Sequence, residues 1–297
     1  MIIANIIWGA ASPIFKYSLE NIPPFSLAFL RFLIASIVLY PFIHSVTEYK
    51  DLQDKKLWLF ALTGTTLNII FFFLALQRTA SINAPIIASS GPVFVLLGSA
   101  IILKEKLKSS EIAGMVLSLA GILVIVFKPI DGEITGNLFM ILATLAAVVN
   151  TIIGRKILTP KNTLGHTFWS FFIATLSFLP LAVWEYQQNP YWLSQLDTRG
   201  YTGIIFGSLL CSLAAYILFD WALAKLPAHK VSIFSYLDPI VAVAIAVPLL
   251  GEKITPAFLF GSALVFLGIL IAEKRVHYHP IHRLFNNPNK SNSPSSQ

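Results

Sequence analysis

The chain has 297 residues, of which 56% are hydrophobic and only 12% are charged, and its formal net charge at pH 7 is +7. Its mean hydropathy is +0.74. Soluble domains carry about 25% charged residues because their surface must be wetted, so this composition excludes a soluble protein and predicts an all-α membrane protein. The basic residues fall in short loops rather than on one face with interleaved aromatics, so we expect no nucleic-acid partner. The single cysteine, Cys211, excludes an internal disulfide.

Ten apolar segments have the length of roughly 17–25 residues that a transmembrane helix requires. The first starts at Ile2 without a basic leader or a small-residue cleavage site, which predicts a retained span rather than a signal peptide. The links between the segments are mostly short and polar. In chain order the predicted spans are about 2–19, 25–44, 57–77, 82–103, 111–127, 137–154, 166–185, 201–224, 228–250 and 256–273.

The Lys and Arg residues in the links set the orientation, because cytoplasmic loops of membrane proteins are enriched in both. With both termini in the cytoplasm, 15 of the 21 basic residues lie inside and 4 lie outside. The remaining two, Lys16 and Arg31, lie within spans. We therefore predict cytoplasmic N- and C-termini.

The chain also contains an internal repeat, since residues 78–128 align without a gap with residues 225–275 at an offset of 147. Five spans per copy is an odd number, so the second copy enters the membrane from the opposite side. We predict two five-helix repeats of inverted topology, residues 1–128 and 136–275, with their glycines in tight helix packing. The matched pairs include Pro92 with Pro239, Glu105 with Glu252, Gly114 with Gly261 and Gly121 with Gly268.

Residues 276–297 differ from the rest because they are rich in Asn, Ser and Pro, which predicts a disordered cytoplasmic tail. Three histidines, His277, His279 and His282, leave metal binding by this tail as an alternative. A solvated segment is the simpler interpretation, and we expect no metal or cofactor.

Polar side chains recur every three or four residues along five of the spans, and more loosely along the sixth, which places them on one helix face. Polar groups are costly in hydrocarbon, so these faces indicate helices that surround water. Each hydroxyl alone is also consistent with a bond between helices or to its own backbone. Together the stripes favour a shared cavity, with Trp8, Phe72 and Tyr236 as stacking walls and Asn68 and Ser90 as hydrogen-bonding groups. The candidate substrate-binding residues are Trp8, Ser12, Asn68, Phe72, Ser89, Ser90, Tyr216, Ser235 and Tyr236.

Asp238 falls near the middle of the predicted ninth span, where a carboxylate costs roughly 2.5–3.5 kcal/mol on insertion scales. Pro239 follows it and has no N–H, so we expect the carbonyl of Ser235 to lose its helical partner. Pro92 predicts the equivalent interruption in the fourth span. We predict that Asp238 accepts a proton or a substrate amine, with Pro92 and Pro239 as hinges. The alternative is a neutral acid that only fixes a kink.

Three other charged residues within or near spans have simpler interpretations. Asp220 lies within reach of Lys225, which predicts an interfacial ion pair. Lys16 and Arg31 fall in the outer third of their helices, which predicts that both extend to the outer headgroups. If they face the cavity instead, they suit a substrate that carries a carboxylate.

Glu105 and Glu252 end the fourth and ninth spans just before the next helix begins. A carboxylate in that position can accept hydrogen bonds from the free N–H groups of the following helix N-terminus. Both residues are therefore predicted to be structural clamps.

The chain resembles the EamA family of the drug/metabolite transporter superfamily. The resemblance is carried by A-S-I-N-A-P and K-E-K-L in the fourth span, by L-D-P-I-V-A and G-E-K-I in the ninth, by Trp8-Gly9 and by A-F-L-R-F ending at Phe32. It covers residues 1–275 and implies bacterial plasma-membrane carriers that export amino acids, related metabolites or toxic compounds in exchange for protons. It also implies a central cavity lined by spans one, three, four, six, eight and nine.

We therefore expect a secondary-active exporter of small metabolites that works by alternating access around a midplane cavity. The chain has no phosphate-binding Walker A sequence, so we expect no ATP drive. The alternatives are an exchanger of drugs, toxic cations or nucleotide sugars with the same fold, an integral-membrane enzyme, or a non-transporting partner of another complex. A homodimer is an option that the sequence neither requires nor excludes.

Overall fold

A computed structural model of the chain describes residues 1–43, 52–94, 109–127, 134–226, 231 and 233–273. Every regular element in these residues is helical. Glu105 and the predicted tail lie outside the described residues. The helices are α1 (Ile2–Ser18), α2 (Pro24–Phe42), α3 (Lys55–Leu76), α4 (Asn83–Ala88), α5 (Ser109–Phe127), α6 (Ile134–Ile157), α7 (Thr163–Gln188), α8 (Thr198–Lys225), α9 (Leu237–Leu250) and α10 (Pro256–Glu273).

Six helices in the described part of the chain, namely α2, α3, α5, α6, α7 and α8, are long and apolar enough to cross a membrane, and α9 and α10 belong to shorter apolar segments. Large apolar side chains face outward on these helices; Phe127, Ile240 and Leu270 are each more than 60% exposed. Such a surface is unfavourable in water and favourable against lipid acyl chains. The all-helical membrane class predicted from composition is therefore confirmed, while the count of ten spans stays a prediction.

Four of the helices are interrupted or locally widened. α3 contains a π-helical segment at Leu62–Leu67, and α8 contains one at Phe206–Ala214. α4 ends in a turn at Ser89 and Ser90, after which helix resumes at 91–94, and α9 is preceded by a 3-10 turn at Ile233–Tyr236. These irregular segments release backbone carbonyls from the regular helical ladder. Their carbonyls must therefore find donors elsewhere in the molecule.

The tightest helix pair is α5 with α10, and glycine makes it possible. A Cβ atom at Gly268 would lie 2.5 Å from the carbonyl oxygen of Gly114, and one at Gly121 would lie 2.6 Å from that of Gly261. Between these two contacts, the Ser118 hydroxyl donates to the carbonyl of Val265 at 3.2 Å. Small residues let the two backbones touch, as is typical of helix packing in lipid. The predicted close packing of these glycines is observed.

The other major helix pairs are α2 with α7, α1 with α9, and α3 with α6. Aromatic stacking holds the α2–α7 pair, in which the ring of Phe32 lies 5.7 Å from that of Phe171 and 6.0 Å from that of Phe178. α1 approaches α9 closely because Gly9 has no side chain; a Cβ there would lie 2.8 Å from the carbonyl oxygen of Asp238. These pairs leave a space between α1, α3, α4, α6, α8 and α9.

Two buried glutamates cap helices that belong to other parts of the chain. Glu185, at the end of α7, accepts hydrogen bonds from the backbone N–H groups of Phe25 and Ser26 at 3.1 and 2.7 Å. Glu252, after α9, accepts from the N–H groups of Ser81 and Ile82 at 2.6 and 3.1 Å, just before α4 begins. Each carboxylate satisfies donors that a helix start leaves free.

The helix that Glu252 caps differs from the predicted one. α10, the following helix, begins at Pro256, and its early N–H of Phe258 is accepted by the hydroxyl of Thr255 at 3.1 Å. A neighbouring side chain thus already occupies that helix start, and Glu252 turns to α4 instead.

Lys16 does not extend to the headgroups as predicted. Its ammonium donates to the carbonyl of Thr79 and lies 3.8 Å from the carboxylate of Glu252. The Lys16 side chain is 31% exposed, so this contact is partly screened by solvent. It nevertheless ties the end of α1 to the links before α4 and after α9.

The glycine contacts in the α5–α10 pair predict a specific loss of stability. We expect Gly268→Ala to lower the thermal unfolding midpoint of the detergent-purified protein, because the added methyl meets backbone atoms that cannot move away, at a cost of about 1–3 kcal/mol. Gly91→Ala is the matched control, since a Cβ there would lie 4.0 Å from its nearest neighbours, the side chains of Thr144 and Val148. Equal midpoints for the two variants would contradict the close contact.

Candidate functional site

A cavity of about 230 Å³ lies where α1, α3, α4, α6 and α8 meet the start of α9, and Arg31 of α2 also reaches it. These six helices are the ones that carry the polar stripes in the sequence. The volume is below the range of about 300–1,000 Å³ that is typical of sites for drug-sized ligands. The lining residues used below are Asn5, Trp8, Ser12, Phe15, Arg31, Gly64, Asn68, Phe72, Gly91, Pro92, Thr144, Asn150, Cys211, Tyr216, Phe219, Ser235 and Asp238.

The structure brings most of the predicted residues to this cavity but not all of them. Eight of them line it: Trp8, Ser12, Asn68, Phe72, Pro92, Tyr216, Ser235 and Asp238. Four others, Ser89, Ser90, Tyr236 and Pro239, are not part of the lining, and Glu252 caps α4 as described above.

Ser89 and Ser90 are fully buried at the end of α4, and their hydroxyls turn back to their own helix. Ser89 donates to the carbonyl of Pro85 at 2.7 Å, and Ser90 donates to that of Ile87 at 2.5 Å. This is the local bonding that serine adopts where it competes with the helical ladder. Tyr236 packs edge-on against Phe266 of α10 at 6.3 Å. None of the three is part of the cavity lining, although the Ser89 hydroxyl also lies 3.4 Å from the carbonyl of Ser235, which is. Their predicted role in substrate binding stays a prediction.

Aromatic rings form two walls of the cavity. Trp8 packs against Tyr216 and Phe219, with ring centroids 5.4 and 5.0 Å away. Phe72 packs edge-on against Phe15 at 6.3 Å. Such edge-to-face and tilted contacts hold the rings in fixed orientations. The walls are thus rigid and mainly apolar.

Polar side chains of the lining satisfy the carbonyls released near the π-helical segments. The amide of Asn150 donates to the carbonyl of Phe60 at 2.8 Å, and the hydroxyl of Tyr216 donates to that of Gly64 at 3.2 Å. In α8, the carbonyl of Cys211 accepts from the indole of Trp8 at 3.3 Å. Asn68 donates to the carbonyl of Ala143 at 2.8 Å. These four groups shape the cavity while their donors are already engaged.

Asp238 lies in the first turn of α9, directly after the 3-10 turn at Ile233–Tyr236, so the ninth predicted span is irregular at this point. Proline is well tolerated at such a position, so Pro239 starts a helix rather than kinking one, and Pro92 stands equally early in the stretch 91–94. The Oδ1 atom of Asp238 is buried, and no described residue bonds to it. A helix N-terminus favours the charged form of a carboxylate, so this oxygen is placed to accept a hydrogen bond from a donor group in the cavity.

Arg31 also departs from its predicted position at the headgroups. Its side chain is only 1% exposed, and its guanidinium lies between the rings of Phe15 and Phe32. It sits seven residues into α2, about 10 Å along the helix axis. The Nη1 atom has no hydrogen-bond partner among the described residues, and neither does the hydroxyl of Ser12 on α1.

Asp220 does not form the predicted ion pair with Lys225. It is 2% exposed and accepts a hydrogen bond from the hydroxyl of Thr167 in α7 at 2.7 Å. The ammonium of Lys225 instead lies 3.6 Å from the ring centroid of Trp221. Asp220 points toward α7 and is not part of the cavity lining, which separates it from Asp238.

Phe15, Phe219, Thr144 and the guanidinium of Arg31 belong to the lining although none was among the predicted site residues. For Phe15 a signal existed, since it lies three residues after Ser12 and therefore on the same face of α1. For Arg31 the sequence offered only its depth within the span.

Comparisons with known proteins agree with this architecture. The model of the EamA-like transporter family matches residues 1–127 and again 134–273. An uncharacterized transporter of Archaeoglobus fulgidus is 28% identical over 280 residues, covering 92% of this chain and 95% of its own length. Proteins named probable amino-acid metabolite efflux pump are 25% identical in both Salmonella typhimurium and Escherichia coli, each covering 90% of this chain and 91% of its own length.

A solved crystal structure shares the fold, with a TM-score of 0.64 at 19% identity over 91% of this chain and 94% of the other. The chain therefore belongs to the EamA-like transporter family and is a multi-pass membrane protein that acts on a small-molecule substrate.

Proposed function

We propose that the chain is a secondary-active exporter of small metabolites, such as amino acids or related compounds, which works by alternating access around the cavity. The observation that carries this proposal is the cavity itself. Interrupted helices meet there, and two side chains of opposite charge, Arg31 and Asp238, each have a buried atom without a partner among the described residues. Broken helices around a polar site are typical of transporters and unusual elsewhere in membranes.

The proposed mechanism requires two five-helix halves of inverted topology, residues 1–128 and 136–275. The irregular segments support this division, because Leu62–Leu67 of α3 falls at 209–214 after a shift of 147, inside the π-helical part of α8. The same shift carries the turn at Ser89 to Tyr236, where the 3-10 turn ends.

The α5–α10 contacts support the same division. Gly114 meets Gly268 and Gly121 meets Gly261, so each contact is the counterpart of the other at the repeat offset. Reciprocal contacts of this kind mark an approximate two-fold axis. In our proposal the halves rock about that axis and expose the cavity to each side in turn.

Substrate size and charge favour a metabolite over a drug or a toxic cation. The cavity volume of about 230 Å³ suits a small molecule, and the buried guanidinium of Arg31 repels cations. A nucleotide sugar is larger than this space. The names of the Salmonella and Escherichia coli relatives support amino-acid metabolites, and no relative reported above carries an enzyme name.

We assign proton coupling to Asp238. Its carboxylate faces the cavity and has an oxygen that no described residue engages, so its charge depends on what the cavity contains. In this scheme Asp238 takes a proton from one side and releases it to the other as the halves exchange positions. The positive-inside pattern supports cytoplasmic termini, and in this scheme a proton gradient across the plasma membrane drives export.

Flux through the purified chain tests both parts of the proposal. We expect proteoliposomes containing the wild type to accumulate labelled amino acids when a pH gradient is imposed. Asp238→Asn should lose this accumulation but keep the exchange of labelled for unlabelled substrate, because it removes the proton acceptor and leaves the cavity. Asp220→Asn is the matched control, since Asn can still accept the bond from Thr167. Undiminished gradient-driven accumulation in Asp238→Asn would remove that residue from coupling.

The orientation is tested by introducing one exposed cysteine at a time and labelling intact cells with a membrane-impermeant maleimide. We expect Tyr191→Cys, in the exposed link between α7 and α8, to react from outside. Lys161→Cys, in the link between α6 and α7, should react only after permeabilisation. The wild type supplies the background because Cys211 is buried. The reverse pattern of labelling would overturn the assigned topology.

A further inference from the structure

Arg31 is the least solvent-accessible charged group described for this protein, with 1% of its surface exposed. Its Nε atom donates to the hydroxyl of Ser212 at 2.9 Å, and Nη2 lies 3.5 Å from the sulfur of Cys211. The guanidinium carbon lies 5.0 Å from the ring centroid of Phe15 and 4.8 Å from that of Phe32. These four contacts fix the plane of the guanidinium at the edge of the cavity.

None of these contacts neutralises the charge of Arg31. Within the described residues, no carboxylate forms an ion pair with it. A hydroxyl, a thiol and two rings are all uncharged acceptors, and a cation in the membrane interior is costly unless an anion accompanies it. Its Nη1 nitrogen has no acceptor at all among these residues. Among the described residues, the guanidinium of Arg31 therefore has no counter-ion.

We propose that this counter-ion is the carboxylate of the transported substrate, an inference that rests on the transport function proposed above and names its substrate class. Arg presents paired N–H groups that match the two oxygens of a carboxylate. Nη1 has no partner among the described residues, and sulfur is a weak acceptor that releases Nη2 readily. Ser12, whose buried hydroxyl lacks a partner, stands one helical turn from Phe15 on the same face of α1 and offers a further donor.

Arg31 and Asp238 act on different parts of the substrate or at different times. α1 meets Asp238 at the level of Gly9 and meets Arg31 at the level of Phe15. Six residues separate these levels, which is about 9 Å along a helix. The amine and carboxylate of one α-amino acid are adjacent, so they do not span this distance. The carboxylate site is therefore separate from the proton site, and an amine is not needed to occupy it.

The test measures ligand binding directly. Wild-type protein in detergent is heated with each of the common L-amino acids, with the matching 2-oxo acids, and with the corresponding carboxamides. Inorganic phosphate and sulfate form a second arm. We expect a subset of carboxylates to raise the unfolding midpoint and their carboxamides to leave it unchanged, because only the charged group meets the guanidinium. A wild type stabilised by no carboxylate, or equally by acid and carboxamide, overturns the proposal.

Variants then locate the site. For each carboxylate that binds, Arg31→Gln should raise Kd about 10- to 100-fold, the value of losing one hydrogen-bonded charge. Arg31→Lys keeps the charge and much of the volume, so it should fold and bind with an intermediate Kd. Asp220→Asn, which alters another buried charge away from the cavity, should leave Kd unchanged. A carboxylate Kd that stays at the wild-type value in Arg31→Lys and Arg31→Gln also overturns the proposal.

The two oxyanions separate the sources of negative charge. Stabilisation by phosphate or sulfate alone, lost in Arg31→Gln, would assign Arg31 to an inorganic anion and contradict a substrate carboxylate. Flux in proteoliposomes without carboxylate selectivity would sink this inference and leave the exporter standing. Carboxylate binding through Arg31 without any flux would contradict the exporter and leave Arg31 as a carboxylate-binding residue.

Discussion

Hydrocarbon offers no partner for a backbone N–H or C=O group, and this constraint organises the described helices. A regular helix satisfies its own backbone, so irregular segments survive only where side chains supply the missing bonds. Donors from neighbouring helices do this beside the π-helical turns of α3 and α8, and buried carboxylates do it at the starts of α2 and α4. The residues that provide these bonds are Trp8, Asn150, Tyr216, Glu185 and Glu252.

The same constraint distinguishes a closely packed part of the molecule from a loosely packed one. Where α5 meets α10, glycines bring two backbones into contact and leave no space. Around the cavity, the helices pack less closely, and polar side chains are part of the lining. Arg31 and Asp238 lie there among aromatic rings and helix termini, and no described residue supplies either of them with an ion-pair partner. In our proposal, the substrate binds in this loosely packed region.

Composition alone predicted the membrane class, and the small residues of the fifth and tenth spans predicted close glycine packing, because both predictions depend only on which residues are present. The errors have a different origin. Ser89 and Ser90 donate to carbonyls of their own helix, and Asp220 stands five residues before Lys225 but accepts a bond from Thr167 of α7. For Arg31, depth in the span was readable, whereas the side of α2 that meets α8 was not. Spacing along a chain does not specify the neighbouring helix.

Asp238 corresponds to a glycine in the first half of the chain. Position 91 corresponds to position 238 at the repeat offset, and Gly91 lines the same cavity with its nearest side-chain atoms 4.0 Å from where a Cβ would stand. An assembly of two identical half-length subunits would have to carry Asp at both places or at neither. When both halves belong to one polypeptide, the two positions can differ, so the first half has glycine at 91 and the second has aspartate at 238. A lone carboxyl titrates independently, whereas an identical pair would share its protons.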